Sequence, residues 1–243
     1  MATGKPGTVQ NAPFMGCMWL VPLLLVAAGC GREPESVPVP MREAKSAGSS
    51  PAITSPADDR PVIVALGDSL TAGLGVEAEL NYPSQLQRRL DAQGYRYRVV
   101  NAGVSGDTSA QGLNRLEPVR DLRPAVVIVA LGANDGLRGL PVESTLENLD
   151  SIITHLKGDG IQVVLAGMEL PPNYGPAYVV SFRRVFPELA RKHRIPLVPF
   201  LLAGVAGRRG LNQDDGIHPT AQGYAVVAEN VWQALEPLLA GEH

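Results

Sequence analysis

Cysteine is scarce in this sequence of 243 residues, and neither sign of charge is in large excess. The two cysteines, Cys17 and Cys30, both lie near the N-terminus, so residues 31–243 cannot form an internal disulfide. The net charge is -3, and the basic cluster SFRRVFPELARKHR carries apolar residues at helical spacing. We interpret that cluster as a solvated helix face, and we expect no binding of nucleic acid.

Long apolar runs are also rare, and the most prominent, FMGCMWLVPLLLVAAG, extends from Phe14 to Gly29. It is shorter than the roughly 20 apolar residues that a helix needs to span a bilayer. Lys5 precedes the run, which ends in small residues, as the cleavage site of an exported protein does. This pattern predicts a signal peptide over residues 1–29.

The end of the apolar run, Ala27-Ala28-Gly29-Cys30, resembles the lipobox of bacterial lipoproteins. The resemblance implies that cleavage precedes Cys30, that its thiol carries lipid, and that the protein is anchored in the periplasm or cell envelope. An ordinary signal peptide or a short uncleaved anchor is the alternative, since Ala27 stands where leucine is usual. Residues 30–60 are rich in Pro, Ser, Ala and charge, which predicts a disordered tether before a domain at 61–243.

From residue 61 onward, short apolar runs alternate with helix-period segments. The candidate strands are 62–67, 97–103, 125–132, 161–168 and 196–200, and the candidate helices are 82–93, 107–119, 143–157, 178–193 and 220–239. The strands are continuous apolar runs, as expected when both faces of a sheet are buried. This alternation predicts an α/β sandwich in which helices cover both faces of a parallel sheet.

Polar residues follow the candidate strands, at the edge where open parallel sheets bind ligands. In GDSLTAG, after the first strand, Ser69 is a candidate nucleophile, although the stretch could be a simple turn. In SGDTS, Gly106 precedes a helix start at Asp107 or Thr108, so its N–H could bind an anion or merely permit the turn. In GANDG, Asn134 could face developing negative charge or stabilise its own loop.

The stretch DDGIHPT near the C-terminus is the strongest chemical signal. Asp215 and His218 are three residues apart, a spacing that can bring a carboxylate to one side of an imidazole. Such a carboxylate orients the ring and stabilises its protonated form. A structural hydrogen bond is the alternative. No further histidine or carboxylate cluster accompanies the pair, so we expect no metal.

Together these four blocks resemble, in order, the blocks of the SGNH (GDSL) hydrolase family. The blocks are GDSLTAG with Ser69, SGDTS with Gly106, GANDG with Asn134, and DGIH with Asp215 and His218. The resemblance covers residue 61 to the C-terminus and is strongest to the bacterial periplasmic arylesterase, thioesterase and lysophospholipase branch. One departure is Ala133, where relatives often have glycine.

The family resemblance implies a flavodoxin-like three-layer α/β/α sandwich with a central five-stranded parallel sheet. It implies that Ser69 attacks an acyl carbonyl, that His218 acts as base and then acid, and that Asp215 orients His218. The N–H groups of Ser69 and Gly106 and the amide of Asn134 would hold the oxyanion. No metal or organic cofactor is implied, and we expect a monomer.

A Pro-rich stretch, MELPPNYGPAYVVSF, resembles a loop near the family's acyl-binding groove. The resemblance implies acyl-chain contacts from Leu170, Pro171, Pro172 and Tyr174, whereas a plain surface loop is the alternative. The expected substrates are aryl esters, lysophospholipids and acyl thioesters.

Three other functions remain open from the sequence. A carbohydrate O-acetyl esterase of the same fold is one, and an envelope lipoprotein that binds lipid or glycan without catalysis is another. A flavin-binding protein of similar topology fits poorly, because GDSLTAG does not resemble a phosphate-cradling loop.

Overall fold

The structure is a computed structural model that describes residues 58–239. The predicted signal peptide, Cys30 and most of the predicted tether lie outside the described residues. No helix in the described range has both the length and the apolar character needed to cross a membrane.

Strands and helices alternate along the described chain. The strands are β1 (Val62–Gly67), β2 (Arg98–Gly103), β3 (Val126–Ala130), β4 (Gln162–Ala166) and β5 (Leu197–Val198). The α-helices are α1 (Ser69–Ala72), α2 (Tyr82–Ala92), α3 (Ser109–Asn114), α4 (Leu116–Asp121), α5 (Ala133–Leu137), α6 (Val142–Gly158), α7 (Pro176–His193) and α8 (Ala221–Leu239). Short 3₁₀ helices cover Ala78–Leu80 and Pro172–Tyr174.

The five strands form one parallel sheet in the order β2-β1-β3-β4-β5. Gly67 at the end of β1 pairs with Gly103 of β2 on one side and with Ala130 of β3 on the other. The loops after these three strands therefore leave the sheet at the same level. The order of strands reverses at β1, which is where such sheets open a crevice for ligands.

Helices flank the sheet, and the predicted three-layer α/β/α sandwich is confirmed. Helix α2 contacts α8, whereas α6 contacts α3 and α7. Every residue of β1 and β3 is buried, as the continuous apolar runs predict for strands covered on both faces. Burial of these strands supplies the rigid base from which the loops at the carboxyl edge project.

The short helices α1 and α5 and the two 3₁₀ helices were not predicted, and two predicted elements differ in extent next to a proline. The helix predicted over 107–119 is divided into α3 and α4, with Arg115 between them at φ −108° and ψ 24°. Pro118 has no N–H to donate to Asn114, but it is tolerated in the first turn of a new helix. Likewise β5 ends at Val198 rather than at position 200, because Pro199 cannot donate to the sheet.

Candidate active site

The segment after β1 presents Ser69 at the first position of α1. Asp68 is the N-cap of this helix, and its Oδ1 accepts the N–H of Leu70 at 3.0 Å. Leu70 is buried, whereas Ser69 is partly exposed. The helix is only four residues long, so the cap and the buried leucine are what hold the serine at the carboxyl edge of the sheet.

His218 lies between Ser69 and Asp215. Its Nε2 is 2.9 Å from Ser69 Oγ, and its Nδ1 is 2.6 Å from Asp215 Oδ2. The three side chains thus form a continuous line of hydrogen bonds, with the ring in the middle. A carboxylate on Nδ1 fixes the tautomer in which Nε2 can accept the serine proton.

The Asp215 carboxylate is stabilised in its ionised form by hydrogen bonds. The backbone N–H of His218, the ring of His218 and the backbone N–H of Ile217 lower the pKa of Asp215 to about 2. Both backbone contacts are made by Oδ1, which closes the turn, while Oδ2 remains for the ring. Asp215 therefore stays ionised although its side chain is 44% exposed.

Gln213 joins the loop that carries His218 to the loop that follows Ser69. Its side-chain amide donates to the carbonyl of Leu74 at 2.7 Å and to that of Pro219 at 2.9 Å. Its backbone N–H donates to the carbonyl of His218 at 2.8 Å. The distance between the serine and the histidine is thus maintained by a residue that the sequence analysis did not identify.

Gly106 and Asn134 lie on the neighbouring loops, after β2 and β3. Gly106 has φ +87°, a conformation that favours glycine, and its carbonyl accepts from the Arg138 guanidinium at 2.7 Å. Helix α3 begins at Ser109, one position after the later of the two predicted starts, because the side chain of Thr108 caps it. Within residues 58–239, the N–H groups of Ser69 and Gly106 donate to no protein acceptor.

The side-chain amide of Asn134 contacts two acceptors. Its Nδ2 donates to Asp68 Oδ2 at 3.2 Å and to the backbone carbonyl of Asp107 at 3.0 Å. Burial raises the pKa of Asp68 to about 6, partly offset by the hydrogen bond from Leu70 and by the nearby His218. A buried carboxyl group therefore lies directly between the serine loop and the asparagine loop.

Asp135, the residue after Asn134, anchors α5 to α3. Its buried carboxylate accepts the backbone N–H of Ser109 at 2.8 Å and also the hydroxyl of that serine. The side chains of Thr145 and Asn148, from α6, complete this buried network. Because the network joins the element after Gly106 to the element after β3, it keeps Asn134 at a constant distance from the Gly106 loop.

Arg115 makes a second connection beneath the site. Its guanidinium donates to the Asp107 carboxylate and, at 2.8 Å in both cases, to the carbonyls of Gly67 and Ala102. It thereby joins the carboxyl ends of β1 and β2 to the Gly106 loop.

Two residues that support the site, Arg115 and Gln213, carry no signal in a single sequence. Two others could have been noticed from the sequence, because the acids Asp68 and Asp135 are next to Ser69 and Asn134.

A cavity of about 490 Å³ opens beside Ser69, Asn134 and His218. Leu170, Pro171 and Pro172 contribute to its wall, and most of the remaining wall is also apolar. The lining residues that sequence reasoning missed include Leu137, Met168, Phe200, Leu202, Ala206 and Ile217. The cavity is wide enough for an acyl chain and presents few polar groups to it.

Tyr174 is not among the residues that line this cavity. The 3₁₀ helix that contains it directs the phenol hydroxyl to the backbone carbonyl of Leu137, at 3.0 Å. Tyr174 thus supports the wall by tying its loop to the end of α5, and it does not line the cavity.

Within residues 58–239 no group of three or more His, Cys, Asp or Glu side chains is arranged to hold a metal ion. The site presents a hydroxyl beside an imidazole, an ionised carboxylate behind the imidazole, and N–H donors on two adjacent loops.

Comparisons with known proteins agree with this geometry. The sequence profile of the GDSL-like Lipase/Acylhydrolase family matches residues 65–226. Esterase TesA of Pseudomonas aeruginosa is 46% identical over 178 residues, which cover 73% of this chain and 89% of that protein. Thioesterase 1/protease 1/lysophospholipase L1 of Escherichia coli K12 is 37% identical over the same share of this chain and 84% of its own.

Solved structures lead to the same assignment. The crystal structure of TesA superimposes with a TM-score of 0.71 at 45% identity, covering 73% of this chain and 99% of that one. The fold of the described residues, the order of the four motifs and the similarity to these relatives all indicate the same family. The chain belongs to the GDSL-like lipase/acylhydrolase family, the SGNH hydrolases.

Proposed function

We propose that this chain is a serine esterase that hydrolyses acyl esters with apolar acyl chains, including aryl esters, lysophospholipids and acyl thioesters. One observation carries the proposal: the hydrogen-bonded line from Asp215 through His218 to Ser69 ends beside an apolar cavity of about 490 Å³. The names of the relatives, esterase and thioesterase/lysophospholipase, support the same reaction class.

In the first half of the reaction, Ser69 Oγ attacks the acyl carbonyl carbon while His218 Nε2 takes the hydroxyl proton. The carbonyl π bond opens and its oxygen becomes an oxyanion. His218 then gives the proton to the leaving alcohol or thiol, and the acyl group stays on Ser69. Asp215 stabilises the protonated ring through Nδ1 and does not itself need to take the proton.

In the second half, water enters the site and attacks the acyl-enzyme. His218 accepts a proton from this water and returns it to Ser69 Oγ as the carboxylic acid leaves. In both halves the oxyanion accepts hydrogen bonds from the backbone N–H groups of Ser69 and Gly106 and from the Asn134 amide. The free N–H groups of Ser69 and Gly106 in the described structure support this assignment.

The cavity wall favours an acyl chain over an acetylated sugar. Leu137, Met168, Leu170, Phe200 and Ile217 line the cavity, and sugars need several hydrogen-bond partners. Apart from the catalytic candidates and Asp68, Glu169 supplies the one charged side chain that the described residues contribute to the lining. The carbohydrate O-acetyl esterase is therefore the weaker candidate. A binding protein without catalysis has no need for an imidazole between a hydroxyl and a carboxylate.

Hydrolysis of p-nitrophenyl esters from acetate to palmitate by the full-length chain tests the proposal. The Ser69→Ala variant should lose turnover on every ester, whereas Ser181→Ala, which removes an exposed serine of α7, should retain it. Higher kcat/KM for longer acyl chains than for acetate is the expected profile. Equal turnover by Ser69→Ala and wild type would refute the serine mechanism.

We also propose that the protein is exported and anchored to a membrane through lipid on Cys30. This rests on the sequence at residues 14–30, which lies outside the described residues. The expected mature N-terminus is a lipidated Cys30, and mass spectrometry of the mature protein identifies it. A mature chain that starts elsewhere or carries no lipid would remove the anchor.

We further propose that the enzyme acts as a monomer, because Ser69, Asp215, His218, Gly106 and Asn134 all come from one chain. Light scattering during size-exclusion chromatography should give the mass of a single chain for the active species. Activity confined to a larger species would contradict this.

A further inference from the structure

Asp68 is an ionisable residue next to the nucleophile for which the mechanism above has no use. Its side chain is 0% exposed. It acts as an acceptor in two contacts, with Oδ1 on the backbone N–H of Leu70 and Oδ2 on the side-chain amide of Asn134. A carboxylate so deeply buried is costly unless its oxygens are used, so both contacts need an explanation.

The two contacts belong to different parts of the site. The N–H of Leu70 is in α1, directly after Ser69, so Oδ1 holds the backbone that carries the nucleophile. The amide of Asn134 is in α5, after β3, so Oδ2 holds a proposed donor to the oxyanion. The two oxygens of one rigid carboxylate therefore connect the end of β1 to the end of β3.

The neighbours of Asn134 also determine which way its amide points. Asp68 Oδ2 and the Asp107 carbonyl are both acceptors, and only the NH₂ end of an amide can satisfy two acceptors. The opposite orientation would put the amide oxygen against a carboxylate. The free enzyme thus presents the nitrogen, rather than the oxygen, toward the Ser69 side of the crevice.

We propose that Asp68 is a positioning residue that holds the Asn134 amide in the orientation needed for the oxyanion and aligns it with the loop that carries Ser69. The inference rests on the proposed esterase function and deepens it, because it assigns to Asp68 a role that is exerted through the Asn134 amide and the Leu70 N–H.

This arrangement has a consequence for the reaction. Both hydrogens of the Asn134 amide are engaged before substrate binds, so the oxyanion must take over one of them. The contact with Asp68 Oδ2 is 3.2 Å long and the contact with the neutral Asp107 carbonyl is 3.0 Å long. In the proposed role the oxyanion takes the hydrogen that faces Asp107, while the charge of the Asp68 carboxylate retains the other hydrogen and with it the plane of the amide.

The geometry explains why asparagine cannot replace Asp68. Asparagine has nearly the same shape but only one acceptor oxygen, whereas both Leu70 and Asn134 present an N–H to position 68. In Asp68→Asn, the NH₂ group of the new side chain must therefore face either the Leu70 N–H or the Asn134 NH₂ group, and two donors that face each other repel. A serine at position 68 would keep the helix cap and lose only the contact with Asn134.

The experiment measures kcat and KM on p-nitrophenyl esters for the full-length chain and its variants. Asp68→Asn and Asp68→Ser should each lower kcat by about 10- to 100-fold with KM changed by less than about twofold, because misplacing a group that acts only in the transition state affects kcat. Asp121→Asn, a change of an exposed acid at the end of α4, is the matched control and should retain wild-type rates.

A double-mutant cycle tests whether Asp68 acts through Asn134. If it does, Asp68→Ser should cost at least about 10-fold in the wild-type background but less than about threefold in the Asn134→Ala background. An equal cost in both backgrounds would overturn the inference, because Asp68 would then act through α1 alone. Wild-type kcat for both Asp68 variants would overturn it as well.

Two further measurements separate this inference from other causes of lost activity. Thermal denaturation of each variant identifies loss of folding, and Asp68→Ser provides a second variant that retains the cap if Asp68→Asn is unstable. Ser69→Ala in the same assay tests the esterase function itself. Loss of turnover in Ser69→Ala together with wild-type kinetics in both Asp68 variants would refute the role of Asp68. The proposed esterase function would still be supported.

Discussion

His218 Nε2 lies 2.9 Å from Ser69 Oγ, although 149 positions separate the two residues along the chain. Ser69 follows β1, and His218 belongs to the loop that precedes α8. The two loops meet at the carboxyl edge of the sheet, where Gln213 bridges them by donating to the Leu74 carbonyl. The contact proposed to activate the Ser69 hydroxyl therefore forms only in the assembled fold.

Replacing Asn134 by alanine should lower kcat by about 10²- to 10³-fold, the usual effect of removing one oxyanion donor. KM should change little, because the lost interaction forms only as charge develops on the acyl oxygen. Steady-state kinetics on a p-nitrophenyl ester measure both constants. Asn114→Ala, at an exposed position of α3, is the control. Wild-type turnover by Asn134→Ala would show that the oxyanion is held by other donors.

Replacing Gly103 by alanine should impair both stability and activity. A methyl group there would lie 2.2 Å from the backbone nitrogen of Ala72, so α1 must move and carry Ser69 with it. Gly158→Ala is the matched control, because beyond its own helix backbone and chain neighbours no atom lies within 4 Å of the added carbon. Melting temperature and kcat should fall for Gly103→Ala only. Equal melting temperatures and equal kcat values for the two variants would contradict the close approach of β2 and α1.

Shortening Leu170 to alanine should change the chain-length profile more than the overall activity. Leu170 forms part of the cavity wall, so its truncation widens the acyl site and should raise kcat/KM for long esters relative to short ones. Val180→Ala, at an exposed position of α7, removes a similar amount of apolar surface away from the cavity. An unchanged ratio between long and short esters in Leu170→Ala would refute the acyl-binding role of this wall.

The pH dependence of stability should reveal the burial of Asp68. Its pKa is raised from the ordinary 3.8 to about 6, so between these values the folded protein binds more protons than the unfolded chain. The contribution of Asp68 to the free energy of unfolding therefore falls as the pH rises through this window, by on the order of 3 kcal/mol.

Asp68→Asn lacks this titration, so its stability relative to wild type should improve between pH 4 and pH 7. Thermal denaturation at several pH values in this range measures the difference, with Asp121→Asn as the control for an exposed carboxylate. A difference between Asp68→Asn and wild type that does not change with pH would contradict the raised pKa.

Part of the fold follows from local patterns. The apolar runs that became β1, β3 and β4 end within a few residues of the predicted boundaries, because burial on both faces requires such runs in a parallel sheet. The edge strand β2 is only partly buried, although its position was also predicted. The division at Arg115 does not follow from Pro118 alone, although a proline lacks the N–H that a helix interior uses. Pro187 and Pro237 lie inside α7 and α8 without ending those helices, so the packing around each proline decides whether the helix is divided.

Residues whose roles depend on partners far away in the sequence could not be identified from local patterns. Tyr174 is close in sequence to the residues that line the cavity, yet its hydroxyl binds the Leu137 carbonyl. Phe200 and Ala206 line the cavity from the loop after β5 and carry no motif. Their contributions depend on how the loops pack against one another, which a single sequence does not contain.

By itself, the sequence determined the succession of strands and helices and the turns that carry Ser69, Gly106, Asn134 and His218, because apolar period and turn chemistry are local properties. Only the tertiary structure decided which polar groups meet. The Asp68 contact with Asn134 and the size of the cavity beside Ser69 depend on sheet pairing and loop packing between segments far apart in the chain. Hydrogen bonds and cavities form between surfaces, and those surfaces exist only once the strands lie side by side.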